Sequence, residues 1–452
     1  MPFHATLAQL IQVLGADHYL SDLTKTATYI TTDSRNIKPG EVFLALRGEK
    51  FDGHNFVKSA LGKGAIAAIV DTQFPIQDSN LLIVSDTLAA YQAIAHWWRK
   101  QFNIPVIAIT GSVGKTTTKE LIAAALSQYG KVLKTQANYN NEIGVPKTLL
   151  ELDRDHDYAV IEMGMRAQGE IALLSKIASP DIAVITNVGT AHIGRLGSEE
   201  AIAQAKCELL AEMPNDAIAI LNHDNPLLLK TAQTVWQGQT ITYGLEGGDI
   251  HGQLIDSETL EVHSTRFRLP LPGEHNALNF LAVLAVVKTL QLEETHLTNL
   301  EVSLPGGRSQ KFELPRDIVI LDETYNAGLE SMLAALKLLA QTPGKRHIAI
   351  LGTMKELGDR SLAFHQQVGA MAKHLQLDQL IVLADEPEAA ALTIGASPLK
   401  SQKFATHEAV VEHLKQTLQT GDRLLFKASR SVGLDRVVEG LRSALSEHLS
   451  EQ

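Results

Sequence analysis

The sequence is poor in the features that cross-link small secreted scaffolds or hold a chain in lipid. Among 452 residues there is one cysteine, Cys207. A single thiol excludes an intramolecular disulfide and a multi-cysteine zinc site, and it fits a reducing compartment as a small buried hydrophobe. No uninterrupted apolar run approaches the roughly 18 residues of a membrane span. The opening stretch MPFHATLAQL lacks the basic-then-apolar pattern of a secretion signal. No stable membrane insertion is expected, and the expected compartment is the cytoplasm. Basic residues are also in the minority: 40 Lys plus Arg face 51 Asp plus Glu, a formal net charge of −11. A nucleic-acid binder with a broad basic face is disfavoured. Small anions stay compatible, because local amides, single cations and metal ions hold them whatever the global sum.

Aromatic residues make up only 5% of the chain, but the 45% hydrophobic fraction is that of an ordinary globular protein and excludes general disorder. The length predicts about three domains. No internal repeat, low-complexity tract or long like-charge run interrupts an alternation of short apolar strands and amphipathic helices, which predicts α/β structure throughout. Boundaries are expected near residue 100, where Phe-Asn-Ile-Pro opens the strand PVIAIT, and near SLPGGRSQKFELP, giving segments 1–99, 100–310 and 311–452. In the middle segment PVIAIT, KVLKT, YAVIEMG, DIAVITNVG and DAIAILN are continuous apolar runs of the kind covered on both faces. They predict a doubly wound, mostly parallel sheet of P-loop type. The third segment repeats the pattern in DIVILDETY, HIAILGTM, LDQLIVLAD and DRLLFKAS and predicts a Rossmann-like domain.

The strongest chemical signal is GSVGKTTTK, directly after PVIAIT and before the helical ELIAAALSQ. Glycines at 111 and 114 let backbone amides turn inward around phosphate oxygens, the following helix presents its positive end, and Lys115 adds a cation. Thr116 or Thr117 offers a hydroxyl to Mg²⁺. The full phosphate-loop pattern requires a glycine where this chain has Ile109, so the loop is a shortened variant. Glu162 closes the next apolar strand and His192 follows DIAVITNVGTA, so both are expected at the carboxyl edge of the sheet, where ligands gather. Each alone also reads as a solvated strand end or loop residue. Asn276 and Asn279, three apart at the start of an apolar helix, either face a base or ribose or cap that helix. Asp322 ends a strand, where it either meets a ligand or forms an Asx turn. Lys206 lies in the helical SEEAIAQAKCELLAEM, and spacing alone gives it no special role.

Taken together, the strings TTDSRNIKPGEVFLALRGEKFDGHNF, TGSVGKTTTKE, NYNNEIGVPKTLL, IEMGMRAQGEI, TNVGTAHIGRLGS, AKCELL, GEHNALNFLAV and LDETYNAG resemble the Mur ligase family, in this order and over nearly the whole chain. The resemblance implies a three-domain ATP-dependent amide ligase: 1–99 for a UDP-sugar, 100–310 for ATP, and 311–452 for the incoming amino component. Its nearest branch joins D-Ala-D-Ala to UDP-N-acetylmuramoyl tripeptide, the last cytoplasmic step towards the peptidoglycan pentapeptide precursor; this chain is expected to be a monomer. Other readings are a family member that adds the third amino acid, whose Asp-Asn-Pro-Arg string is absent; a folylpolyglutamate synthetase, disfavoured by the DSR and DGH strings; and a nucleotide-dependent switch without ligase activity.

By the same resemblance, Ser34, Arg35, Arg47, Gly53 and His54 lie near the UDP moiety. Gly111, Ser112, Val113, Gly114, Lys115, Thr116 and Thr117 wrap the ATP phosphates. Asn276, Asn279, Arg308 and Asp322 surround adenine and ribose, and Asn138 and Asn141 approach the reacting groups. Thr116, Glu162 and His192 hold Mg²⁺. The resemblance also implies that Lys206 is carbamylated, which turns a cation into an anion supporting a second Mg²⁺; Lys115, His192 and Lys206 are thus the catalytic set. Tyr325, Asn326 and Lys427 are the expected dipeptide contacts. Here the chain departs from its relatives, with Gly328 and Leu329 after Tyr-Asn-Ala and Thr353 where Asp is common.

Overall fold

The structure, a computed structural model, describes residues 3–75 and 79–450. Three large sheets succeed one another along the chain. The first has five strands in the spatial order Asp17–His18, Leu81–Val84, Ala67–Asp71, Val42–Leu44, Ile30–Thr31. Its last four strands pair in parallel, and Asp17–His18 closes one edge antiparallel. Strand residues alternate between two cores, as the pleat requires. Ala68 and Val70 pack with Val57 and Ala60, whereas Ala67 and Ile69 join a second cluster with Ile94. Helix α1 (Thr87–Arg99) starts at Asp86, whose carboxylate accepts from the amides of Leu88 and Ala89 at 2.8 and 3.0 Å. Its far side reaches the middle of the chain: Trp98 Nε1 donates to Leu152 O at 3.0 Å, and Arg99 pairs with Asp181 at 2.8 Å.

The central sheet grows from β1 (Val106–Thr110), followed by α2 (Lys115–Leu126). β1 lies between β2 (Tyr158–Glu162) and β3 (Ile182–Ile185), parallel to both. The chain leaves β1 for one side of the sheet and later returns to the other, so the carboxyl end of β1 is a topological switch point where a crevice opens. Every residue of β1 is buried, because helices cover both faces; α2 packs beside α4 (Glu274–Thr289) on one, and α3 (Glu199–Glu212) lies against β3 on the other. Burial of a side chain such as Ile107 or Ile109 stabilises by about 1.5–3 kcal/mol. The sheet ends in an antiparallel meander, Ile250–Asp256, Thr259–Val262 and Thr265–Arg268, which the apolar-run reading does not anticipate. Its strands are half-exposed and carry the alternation of an antiparallel edge instead of a continuous apolar run.

The third sheet has six strands. β4 (Ile318–Glu323) precedes helix α5 (Leu329–Gln341), β5 (Arg346–Gly352) and, near the carboxyl end, β6 (Asp422–Lys427). The order is Gln310–Leu314, β4, β6, β5, Gln379–Leu383, Ser401–Lys403, parallel except for the first pair. No helix among the described residues is long and apolar enough to cross a membrane.

Candidate active site

The loop after β1 folds as its glycines demand. Gly111 has φ +154°, and a Cβ there would sit 1.9 Å from Thr186 Oγ1; Gly114 has φ +84°, and its Cβ would meet Asn279 Oδ1 at 2.6 Å. Only glycine fits either position. The residues after β3 brace the loop from one side: Val113 N donates to Asn187 Oδ1 at 3.0 Å, and Thr186 Oγ1 donates to Val113 O at 2.7 Å. Helix α4 braces it from behind, with Thr118 Oγ1 donating to Asn279 Oδ1 at 3.1 Å and Asn279 Nδ2 to Asn276 Oδ1 at 3.2 Å. Asn276 and Asn279 are thus buried supports of the loop.

Lys115 curls back on this loop, its ammonium donating to Gly111 O at 2.7 Å. Burial pulls its pKa below the ordinary lysine value, against the opposing pull of Glu162. Thr116 Oγ1 donates to Glu162 Oε2 at 2.9 Å, and Asn140 Nδ2 donates to Glu162 Oε1 at 2.8 Å. A threonine hydroxyl and a carboxylate at the mouth of a phosphate loop are hard oxygen donors, which suit Mg²⁺ shared with phosphate oxygens. Among the described residues there is no cluster of three or more His, Cys, Asp or Glu that could hold a metal by itself. Such a pair therefore fits a metal that also takes ligands from its substrate, as Mg²⁺ characteristically does.

Two further basic residues lie near by, Lys206 buried and Arg308 half-buried. Lys206, on α3, is 1% exposed, and its ammonium makes no hydrogen bond or ion pair among the described residues. Burial, with Lys115 adding repulsion, holds its pKa well below the usual lysine range. Arg308 stacks on Tyr325, its guanidinium carbon 3.7 Å from the ring centre, while its Nε is buried without a partner. Arg308 borders a cleft of about 550 Å³ whose lining also includes Thr116, Asn138 and Asp322. Asp322 faces this cleft and also forms the Asx turn, accepting from the Thr324 amide at 3.0 Å and from its hydroxyl at 2.6 Å. Burial raises its pKa.

His192 has φ +66° and opens a short helical turn. Its Nδ1 lies 2.6 Å from Glu356 Oε2, a residue of the third segment, and burial and Lys115 lower its pKa. Of the two expected asparagines, Asn138 lines the cleft, whereas Asn141 Oδ1 accepts from the amides of Ile143 and Gly144 at 3.3 and 2.9 Å in the turn leading into the helix Gly144–Leu149. Asn140, between them, is the one that touches Glu162; nothing in the spacing singles it out. Lys427 is buried and donates to Asn326 O at 3.0 Å, 3.6 Å from Glu323 Oε2, and burial lowers its pKa. Gly328 starts α5, its amide donating to Ser331 Oγ at 3.1 Å.

The residues expected around UDP form a separate cluster on the first sheet. Arg47 bridges two carboxylates, Asp71 through Nε at 2.5 Å and Asp52 through Nη1. His54 is buried between the same partners: Asp71 N donates to its Nε2 at 3.1 Å, which leaves Nδ1 to donate to Asp52 Oδ1 at 2.7 Å. A Cβ on Gly53 would lie 2.8 Å from both the amide nitrogen and the carbonyl oxygen of Leu46, so the turn closes only with glycine. Arg35 is exposed and forks onto Asp33 at 2.8 Å through both Nε and Nη2, and Lys63 holds Ser34 O at 2.9 Å.

Three family models match in succession: Mur ligase family, catalytic domain, over residues 26–128; Mur ligase middle domain, over 109–287; and Mur ligase, glutamate ligase domain, over 307–430. The chain belongs to the Mur ligase family. It is 58% identical over 417 residues to the UDP-N-acetylmuramoyl-tripeptide--D-alanyl-D-alanine ligase of Synechocystis sp., covering 91% of each chain. Among solved structures it matches MurF from Acinetobacter baumannii with a TM-score of 0.89 at 33% identity, covering 98% of this chain and 99% of that one. MurF ligase from Thermotoga maritima, solved in complex with ADP, superposes with a TM-score of 0.83 at 32% identity over 93% and 98% of the two chains.

Proposed function

We infer that this chain is an ATP-dependent ligase that joins D-Ala-D-Ala to UDP-N-acetylmuramoyl tripeptide. The observation that carries the reading is the phosphate loop at the switch point of the central sheet, where Lys115 is held by loop carbonyls alone and Arg308, with an unpartnered Nε, lines the adjoining cleft with Thr116. High identity over nearly the full length of a relative that carries this activity in its name supports the choice of substrates.

The terminal carboxylate of the tripeptide attacks the γ-phosphorus of ATP, giving an acyl phosphate and ADP. The dipeptide amine then adds to the acyl carbon, the tetrahedral adduct loses inorganic phosphate and a proton, and the amide remains. Two anions must meet in the first step, so positive charge at the meeting point lowers the barrier. Lys115 supplies it once phosphate oxygens replace Gly111 O as its partners, and the amides of 111–117 receive the rest of the triphosphate. Arg308, held flat by Tyr325, has a free edge for the nucleotide, beside Asp322, with Asn276 and Asn279 keeping the loop in shape. Thr116, Glu162, His192 and a carbamylated Lys206 would hold Mg²⁺, which when bound would neutralise phosphate charge in the cleft. Carbamylation suits Lys206 as it stands: burial favours its neutral amine, whose lone pair adds to the carbon of CO₂ with loss of one proton.

We assign residues 1–99 to the UDP-sugar, 100–310 to ATP and 311–452 to the dipeptide. Ser34, Arg35, Arg47, Gly53 and His54 serve the first, Asn138 and Asn141 border the reacting groups, and Tyr325, Asn326 and Lys427 serve the last. All these groups come from one chain, so a monomer suffices, and we place the reaction in the cytoplasm, where ATP is supplied. The test is ADP release with tripeptide and dipeptide, together and singly. Release that requires both is expected; turnover indifferent to either would replace ligation with a nucleotide switch.

A further inference from the structure

The loop that follows β3 is gripped from two sides. On its inner side it holds the phosphate loop: Ser112 N donates to Asn187 O at 3.1 Å, and the Gly189 amide donates to Ser112 Oγ at 2.9 Å. On its outer side it meets the third sheet's connections. The Thr190 amide donates to Glu330 Oε1 at 2.7 Å, and Thr190 Oγ1 donates to Glu330 Oε2 at 3.2 Å. Four residues on, the Gly194 amide donates to Glu356 O at 3.1 Å, and a Cβ on Gly194 would lie 2.6 Å from Gly358 N. The two backbones touch there with no side chain between them.

Glu330 lies in the first turn of α5, where a carboxylate would ordinarily serve the positive end of its own helix. Here both its oxygens are bonded to another part of the chain. Gly189 is shaped for this contact as well, since a Cβ on it would meet Glu330 Oε1 at 2.7 Å. A line of two hydrogen-bonded contacts joined by the Gly189–Thr190 peptide therefore runs from Glu330 in the third sheet's helix to Ser112 in the phosphate loop.

We propose that Glu330 is a positioning residue for the nucleotide. By pinning Gly189 and Thr190 it fixes Ser112, so that docking of the third sheet and the grip of the phosphate loop are one equilibrium. The proposal rests on the nucleotide reading of the central cleft and adds to it a residue with no contact to the phosphates. Charged hydrogen bonds of this kind couple sites typically by about fivefold or more in affinity.

The test uses the full chain with Glu330→Ala, Glu330→Gln, Ser112→Ala and the double variant Glu330→Ala/Ser112→Ala. ADP affinity is read by calorimetry, kcat and KM are measured separately for ATP and for dipeptide, and thermal unfolding checks the fold. Glu330→Ala is expected to weaken ADP about fivefold and raise KM for ATP, with KM for dipeptide unchanged. Glu330→Gln, which keeps an acceptor for the Thr190 amide, should recover part of the loss. In the Ser112→Ala background, Glu330→Ala should cost little more, because the line is already cut. Unchanged ADP affinity in both Glu330 variants, or fully additive losses in the double variant, would overturn the proposal. Wild-type protein that binds no ADP would instead remove the nucleotide reading beneath it.

Discussion

The phosphate loop and the 47–54 turn both place charge at the ends of strands, and they treat it in opposite ways. On the first sheet Arg47 is matched by Asp52 and Asp71 and Arg35 by Asp33, while His54 accepts from the Asp71 amide and donates to Asp52. At the phosphate loop and the cleft beside it Lys115 donates only to loop carbonyls, and Arg308 Nε is orphaned. Desolvated cations with no carboxylate bonded to them are unfavourable in a chain that has no use for them. The matched cluster is a finished scaffold that offers a shape, whereas the unmatched one is completed by an anion.

The sharpest break of this contrast is Lys115→Met. We expect kcat to fall about 10³-fold with thermal unfolding unchanged or slightly raised, because a buried cation is lost along with its catalytic charge. A variant that kept its turnover would put the charge elsewhere. Next, Glu162→Gln should lower kcat about 10²-fold and raise the Mg²⁺ concentration needed for half-maximal ADP release; an unshifted Mg²⁺ curve would remove Glu162 from the metal's surroundings. Lys206→Ala should be of similar size, and short carboxylates such as acetate should restore part of the activity. Activity of Lys206→Ala equal to wild type, with no response to bicarbonate or acetate, would dispose of the carbamate.

On the matched side the effects are on stability. Arg47, first among the causes, holds the Asp71 carboxyl below its ordinary pKa. A depressed carboxylate stabilises the fold above its unfolded pKa, and that contribution is lost as pH falls through the lower folded value. Asp71→Asn should therefore lower the unfolding midpoint by a few degrees at pH 7 and leave it little changed in strong acid, by calorimetric melts at both pH values. An equal loss at both would mean packing, and not charge, is at stake. The smallest pair compares neighbours: Asn141→Ala removes two hydrogen bonds in the turn before a helix and should cost about 1 kcal/mol of stability with KM unchanged, whereas Asn140→Ala should mainly lower kcat through Glu162. Exchanged outcomes would restore Asn141 to the reacting groups.

This contrast also marks what the sequence could tell. Strands covered on both faces announce themselves as apolar runs, so PVIAIT, YAVIEMG and DIAVITNVG were legible as β1, β2 and β3, and the glycines of 111–114 as a phosphate loop between β1 and α2. The 250–268 meander was not legible, since half-exposed antiparallel strands carry only a weak alternation. Family resemblance supplied Lys206, whose buried isolation appears only once α3 is folded against the sheet. Partners far apart in the chain were out of reach: Glu330 and Glu356 meet the loop after β3 across more than a hundred residues, and no local pattern links them. Thr186 and Asn187 carry a readable signal, being polar residues directly after an apolar strand at the switch point.

The most direct measurement is ADP affinity, by calorimetry, for the wild type, Lys115→Met and Asp71→Asn side by side. The wild type and Asp71→Asn should bind alike, and Lys115→Met should bind far more weakly. Equal weakening in both variants, or binding that survives Lys115→Met, would contradict the claim that the unmatched charge of the central cleft is what grips the nucleotide.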